Sequence, residues 1–392
     1  MPDSRSALGV ADSAPVAPAR SAVAASRPNP RRPVTIVAVL AAVLVALAIP
    51  LYADRFWLQL GLFAFASTVA ALGLTLLLGQ AGQLSFGHPF FVAVGAYGYT
   101  VLASRPSTAG AGHRLGLALP PAVAAIAAVL LAGVAGLLFS PIAARLRGIY
   151  LGIASLGLVF VGQHILFNAE TLTGASNGRG VPAFALPGFR FDTSSQETLY
   201  VFGVPFGREE KLWYLGLAVT VAAYLCARNL IHSRPGRSLR AVRDRELMAG
   251  IMGVPVTRYK AYAFALSSMY AGLGGVLTAL AFGRIVPDTF GLDLAVQYLV
   301  IVVIGGLGSP AGAVAGALFV TGLPAVLDRY AAALPGLAPE GSPGVISPAV
   351  AAQLTFGTTV IILLLFEPGG VTAVGRRLRR GADRALVRAR RS

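Results

Sequence analysis

The side chains of this chain best suited to chemistry are amides, hydroxyls and two imidazoles: Gln80, Gln83, Ser85, His88, Gln163, His164, Ser267, Ser268 and Gln297. All lie inside or beside long apolar runs that carry almost no formal charge. Ion-coupled carriers usually keep carboxylates or histidines near the membrane midplane to take up the coupling ion. Here only His88 and His164 could relay a proton, and hydrogen bonding between helices is at least as common a role for such a residue. No HExxH motif or carboxylate pair suggests catalysis or a bound metal, and no cofactor is expected. The phosphate cradle G-x-x-x-x-G-K-[ST] is absent, so the chain does not hold ATP in the usual way. A pore or carrier without its own energy source points to an ATPase on another chain.

A second cluster is basic. Residues 233–260 read SRPGRSLRAVRDRELMAGIMGVPVTRYK, with six Arg and Lys260 against Asp244 and Glu246. Leu239, Val242, Glu246 and Ala249 fall near helical spacing. Arg240 and Asp244 can pair one turn apart. Pro235-Gly236 breaks the preceding apolar run, and Gly253-Val254-Pro255 ends the helix. Such a segment can grip a cytosolic partner or lie on anionic lipid headgroups. Composition alone favours the lipid reading.

Two glycine-rich interruptions complete the inventory: 78–88 (LGQAGQLSFGH) and 304–312 (IGGLGSPAG). Broken membrane helices often line a translocation path, because their freed backbone groups need water or substrate. Close helix packing through small residues, with Gly312 and Gly316 on one face, explains them equally well.

The elements that must position these residues are membrane spans. Hydrophobic residues make up 56% of the 392 and charged residues 12%, about half the usual share, and mean hydropathy is +0.72. Apolar cores fall at 34–52, 56–79, 88–104, 118–143, 149–167, 212–232, 261–283, 292–307, 310–328 and 351–367, which predicts an all-α polytopic membrane protein of about ten spans. Thirty-two basic residues face 16 acidic ones. They cluster between spans and at the two ends, which is orientation charge and not the footprint of a nucleic-acid binder. The bias puts the disordered basic tail 1–32, the segment 233–260 and the basic tail 371–392 in the cytoplasm, around a transmembrane domain of residues 33–370. Residues 168–211, with five carboxylates, fall outside. The lone Cys226 forms no internal disulfide.

Four blocks carry a family resemblance. GQAGQLSFGHPFFVAVGAYGYTVL (79–102), LRGIYLGIASLGLVF (146–160) with TLTGASNG (171–178), residues 233–268, and GLDLAVQYLVIVVIGGLGSPAGAVAGA (291–317) resemble branched-chain amino acid ABC transporter permeases of the LivM type. The resemblance implies a type II ABC importer-like fold in a bacterial plasma or inner membrane. It also implies a second, heteromeric permease subunit, two cytosolic ATPase subunits and an external solute-binding protein. It makes 233–260 the ATPase-coupling loop, with Arg237, Arg240, Arg243, Glu246, Gly250 and Gly253 as its candidate residues. Leu247 and Met248 stand where that motif usually has small residues. Gln83, Ser85 and His88 are the path candidates. The implied solutes are leucine, isoleucine and valine, while similar permeases carry urea, other amides or aromatic acids. An ion-coupled secondary carrier or a membrane enzyme would need a coupling-ion site or a catalytic cluster.

Overall fold

The computed structural model describes residues 43–106, 115–146, 148–186, 189–191, 199–201, 204–330 and parts of 350–361. The chain divides into two units, 1–45 and 46–392, and only 43–45 of the first are described. The tails 1–32 and 371–392, and residues 331–349, lie outside the described residues.

Among the described residues the chain forms twelve α-helical segments. They are α1 (Val43–Tyr52), α2 (Arg55–Ala81), α3 (His88–Ala103), α4 (Pro121–Arg145), α5 (Ile149–Asn168), α6 (Glu170–Thr173), α7 (Arg208–His232), α8 (Arg234–Asp244), α9 (Glu246–Ile251), α10 (Val256–Phe282), α11 (Leu292–Gly305) and α12 (Pro310–Arg329). Six of them, α2, α4, α5, α7, α10 and α12, are long and apolar enough to cross a membrane. α3 has 16 residues and α11 has 14, below the usual crossing length. Each predicted span from 56–79 to 310–328 coincides with one helix. α10 begins at Val256, five residues before the predicted apolar core, because Arg258, Tyr259 and Lys260 continue its first turns. The chain is mostly helical, as expected, with one addition. Six strands of two or three residues, β1 (Arg179–Gly180), β2 (Ala185–Leu186), β3 (Phe189–Arg190), β4 (Leu199–Val201), β5 (Val204–Phe206) and β6 (Arg284–Ile285), form three short antiparallel pairs. Gly and Pro punctuate this region too often for a helix to nucleate.

α2 and α10 form the centre. In each, 72% of the most apolar window is buried, against 28–33% for α4, α5, α7 and α12. Both are apolar on every side, the pattern of a helix surrounded by protein. Neighbouring apolar side chains gain little from leaving lipid, so packing between spans relies on close approach of small residues. A Cβ on Gly95 of α3 would stand 2.1 Å from the Gly272 carbonyl of α10, so glycine is required for that crossing.

The helix ends sort into two groups, as a chain threading back and forth requires. At one end α2 finishes beside α4, α8 and the α11–α12 turn. Gln83 Nε2 donates to Ala143 O at 3.4 Å and Gln80 Nε2 to Gly308 O at 3.2 Å. At the other end β1 pairs with β6, in the register Arg179 to Ile285. Tyr99 there donates to Pro182 O at 3.1 Å, and Arg208 to Leu280 O at 2.8 Å. The buried Arg179 donates to Leu172 O at 2.9 Å and also to Leu115 O.

Candidate functional site

The basic segment folds into two short helices instead of one. Ser233 caps α8 by accepting from Gly236 N at 3.4 Å, and Pro235 sits in the first turn, where its missing N–H costs nothing. Gly236, Leu239 and Val242 are buried, and α8 packs against α7, α2 and α10. Arg245, with φ −152° and ψ 91°, breaks the run, so Glu246 opens α9. α9 anchors through Ala249. Gly253 follows with φ +84°, a left-handed conformation that suits glycine and turns the chain into α10.

The candidate residues of this segment part ways. Arg237 is exposed and donates to His232 O at 3.2 Å, while Arg240 is half-buried. Asp244 does not pair with Arg240. Its carboxylate is held by its neighbour Arg243, at 2.9 Å from both Nε and Nη2. Glu246 faces inward to the buried Lys260 of α10 at 2.8 Å. Gly250 is exposed, and a Cβ there would meet only Val256, at 3.9 Å. What the segment offers outward is apolar: Leu247 (77% exposed), Met248 (53%), Ile251 (81%) and Met252 (86%). Large apolar side chains grouped in this way on a polar surface mark an interaction site.

Arg243, exposed in part, also reaches α2. Its Nη1 donates to Gly79 O in the last turn of α2, and its Cγ lies over Gly82, where a Cβ would come within 2.6 Å. Gly82 has φ +67° and ends α2, and the Gln83 N–H turns back to Leu77 O. Gly79 O is thereby one of the carbonyls that a helix end leaves without a partner, and a cation there also meets the negative end of the helix dipole. On its other side Gly79 touches Gly308, close enough that a Cβ would stand 2.3 Å from Gly308 Cα. The two glycine-rich interruptions therefore meet in space, next to Arg243 of α8.

Gln83 and Ser85 belong to the turn that follows α2, and His88 opens α3 beside the middle of α2. His88 is buried, lies 2.8 Å from Ala70 O through Nε2 and meets the Tyr298 ring edge-on at 5.7 Å. Ser85 accepts from Gly87 N, and the Phe86 N–H donates to Ser155 at 2.9 Å. The buried carboxamide oxygens of Gln80 and Gln83 find no partner. An apolar groove of 520 Å³ between α3, α4 and α5 contains none of these residues. Gln163 approaches Gly291, and His164 is exposed beside Asn168, remote from His88 in the chain. No three His, Cys, Asp or Glu side chains gather as a metal site among the described residues. Sequence reasoning missed Lys260 as the partner of Glu246, and Arg243 as the cap of α2. Gly82 just past an apolar helix was the available signal for a capped end.

The family model for the permease component of branched-chain amino acid transport systems matches residues 56–365. The chain belongs to that family. The permease protein LivM of Salmonella typhimurium is 29% identical over 279 residues, covering 69% of this chain and 63% of that protein. LivM of Escherichia coli K12 is 29% identical over 278 residues, with the same coverage. BraD of Pseudomonas aeruginosa is 25% identical over 315 residues, 77% of this chain and 89% of that protein. The aligned part spans 63% of the length of the two LivM relatives. No solved structure matches the chain. Family membership and the six apolar helices make this a multi-pass membrane protein of the permease class.

Proposed function

We propose that this chain is one membrane-spanning subunit of an ATP-binding-cassette importer of the bacterial cell membrane. It has about ten spans in a type II arrangement and passes branched-chain amino acids delivered by an external binding protein. A second permease subunit completes the path, and two cytosolic ATPase subunits drive it. The Arg bias supports a cytoplasmic α8–α9 and an external 168–211. Gln83, Ser85 and His88 belong to the closed cytoplasmic end of the path, and the solute is a leucine-like amino acid, with urea, amides and aromatic acids as the alternatives in the family.

The observation that carries this reading is the apolar crest of Leu247, Met248, Ile251 and Met252 on a segment otherwise anchored by Leu239, Val242, Ala249 and the Glu246–Lys260 pair. A firmly seated knob with an exposed apolar tip suits a groove on a cytosolic partner. Its basic flank, Arg237 and Arg240, suits an acidic rim.

The test is co-expression with the neighbouring ATPases and binding protein. Leu247→Asp with Ile251→Asp should leave membrane insertion intact and cut ATPase co-purification about tenfold or more, as loss of a central apolar contact does. Unchanged co-purification and ATP-driven uptake would make the crest a lipid-surface hairpin. Uptake by the chain alone under an ion gradient would make it a secondary carrier. Competition by leucine, isoleucine and valine against urea assigns the solute.

A further inference from the structure

The three contacts made by the last turn of α2 suggest how movement of the docked segment reaches the path. This step rests on the importer reading above. α8 and α9 are seated on the spans through the buried Leu239, Val242 and Ala249 and through the Glu246–Lys260 pair. One further side chain holds main chain: Arg243, clamped by Asp244 at 2.9 Å and donating to Gly79 O. The peptide it holds is the one against which the α11–α12 turn is packed. Gly79 abuts Gly308, and Gln80 Nε2 reaches Gly308 O at 3.2 Å. Three residues beyond Gln80 begins the turn that carries Gln83, Ser85 and His88. Displacement of Arg243 therefore acts on both glycine turns at once.

We infer that Arg243 is a positioning residue that converts ATPase-driven movement of α8–α9 into opening of the joint between the α2–α3 and α11–α12 turns. It is not a docking contact. Although its side chain is 39% exposed, its guanidinium is taken up by Gly79 O and Asp244, whereas the crest of α9 is apolar and more exposed.

The experiment uses the complete reconstituted transporter, with Cys226→Ser and a cysteine at the exposed Leu307 in the α11–α12 turn. In the parent complex, ADP–vanadate trapping should change the labelling of that cysteine. Arg243→Ala should keep its ATPase subunits and hydrolyse ATP within about twofold of the parent. Uptake should fall about tenfold or more, the scale of one lost charge-assisted hydrogen bond, and labelling should no longer respond to trapping. Arg243→Lys, which reaches one carbonyl but cannot also hold Asp244, should recover part of the uptake. Gly308→Ala, which leaves α8 untouched, should reproduce the uncoupling, and it replaces Arg243→Ala should that variant fail to insert. Loss of the ATPase subunits from Arg243→Ala would make Arg243 a docking residue and overturn the inference. So would normal uptake, or a labelling response that persists. A parent complex without ATP-driven uptake would instead refute the importer reading, before any variant is read.

Discussion

Glu246 and Lys260 stand 14 positions apart in the chain and 2.8 Å apart in space. The Lys260 side chain is only 7% exposed, so its charge depends on that one carboxylate. Removing one partner of a buried pair costs more than the pair contributes, because the other charge stays buried without compensation. Glu246→Ala should therefore loosen α9 by about 2–4 kcal/mol, whereas Glu246→Leu with Lys260→Met should recover most of it. The rate of tryptic cleavage between Arg234 and Arg258 measures this. A single variant as resistant as the parent would show that the pair does not hold the segment. Glu246 was visible in the sequence through its place in a motif. Its partner was not, because only the left-handed turn at Gly253 brings the start of α10 back beside α9. The same holds for Arg243. The run of arginines was plain, but which one turns inward depends on where Gly82 ends the neighbouring helix.

At the level of elements, small residues set how closely helices pass. Gly312 and Gly316 were legible as a packing face, and α12 does press that face on α11: a Cβ on Gly316 would lie 2.2 Å from Ile301 O. A backbone carbonyl cannot swing aside as a side chain does. Gly316→Val should then cost about 2–3 kcal/mol or more, the scale of overpacking in a tight core. Gly322→Ala, on the same helix with nothing within 4 Å, should be neutral. Thermal aggregation of the detergent-purified chain distinguishes them, and equal midpoints would sink the argument. Eight of the predicted apolar cores, from 56–79 to 310–328, coincide with helices, because those runs are long and separated by charge or Gly-Pro signals. The break between α8 and α9 could not be read in this way. Arg243, Asp244 and Arg245 are all compatible with a helix, and the extended backbone of Arg245 is what separates α8 from α9. The short strands were illegible for a related reason: two-residue ladders are set by their partners and not by local preference.

For the whole molecule, the alternation of helix ends agrees with the charge bias, and that agreement makes a sidedness prediction. In a Cys226→Ser background, an impermeant thiol reagent applied to intact cells should label Ser176→Cys and spare Ser238→Cys; the opposite pattern would invert the topology. The sorting of spans into a buried pair and a lightly covered ring was not readable, since α2, α4 and α10 each contain a long apolar window. Small residues at the right turns, not hydropathy, choose which helix is central. The β1–β6 pair adds a constraint of timing. Arg284 donates to Asn177 O across 107 positions of chain, and the ladder beside it joins the segment after α5 to the segment after α10. A ribosome delivers the first strand long before the second. Until α10 has crossed, β1 has no partner and its backbone must be solvated. The surface at that end is thus completed only late in synthesis, so a truncated or half-inserted chain would not present it. Any protein that recognises that surface will, by that fact alone, distinguish finished copies from unfinished ones.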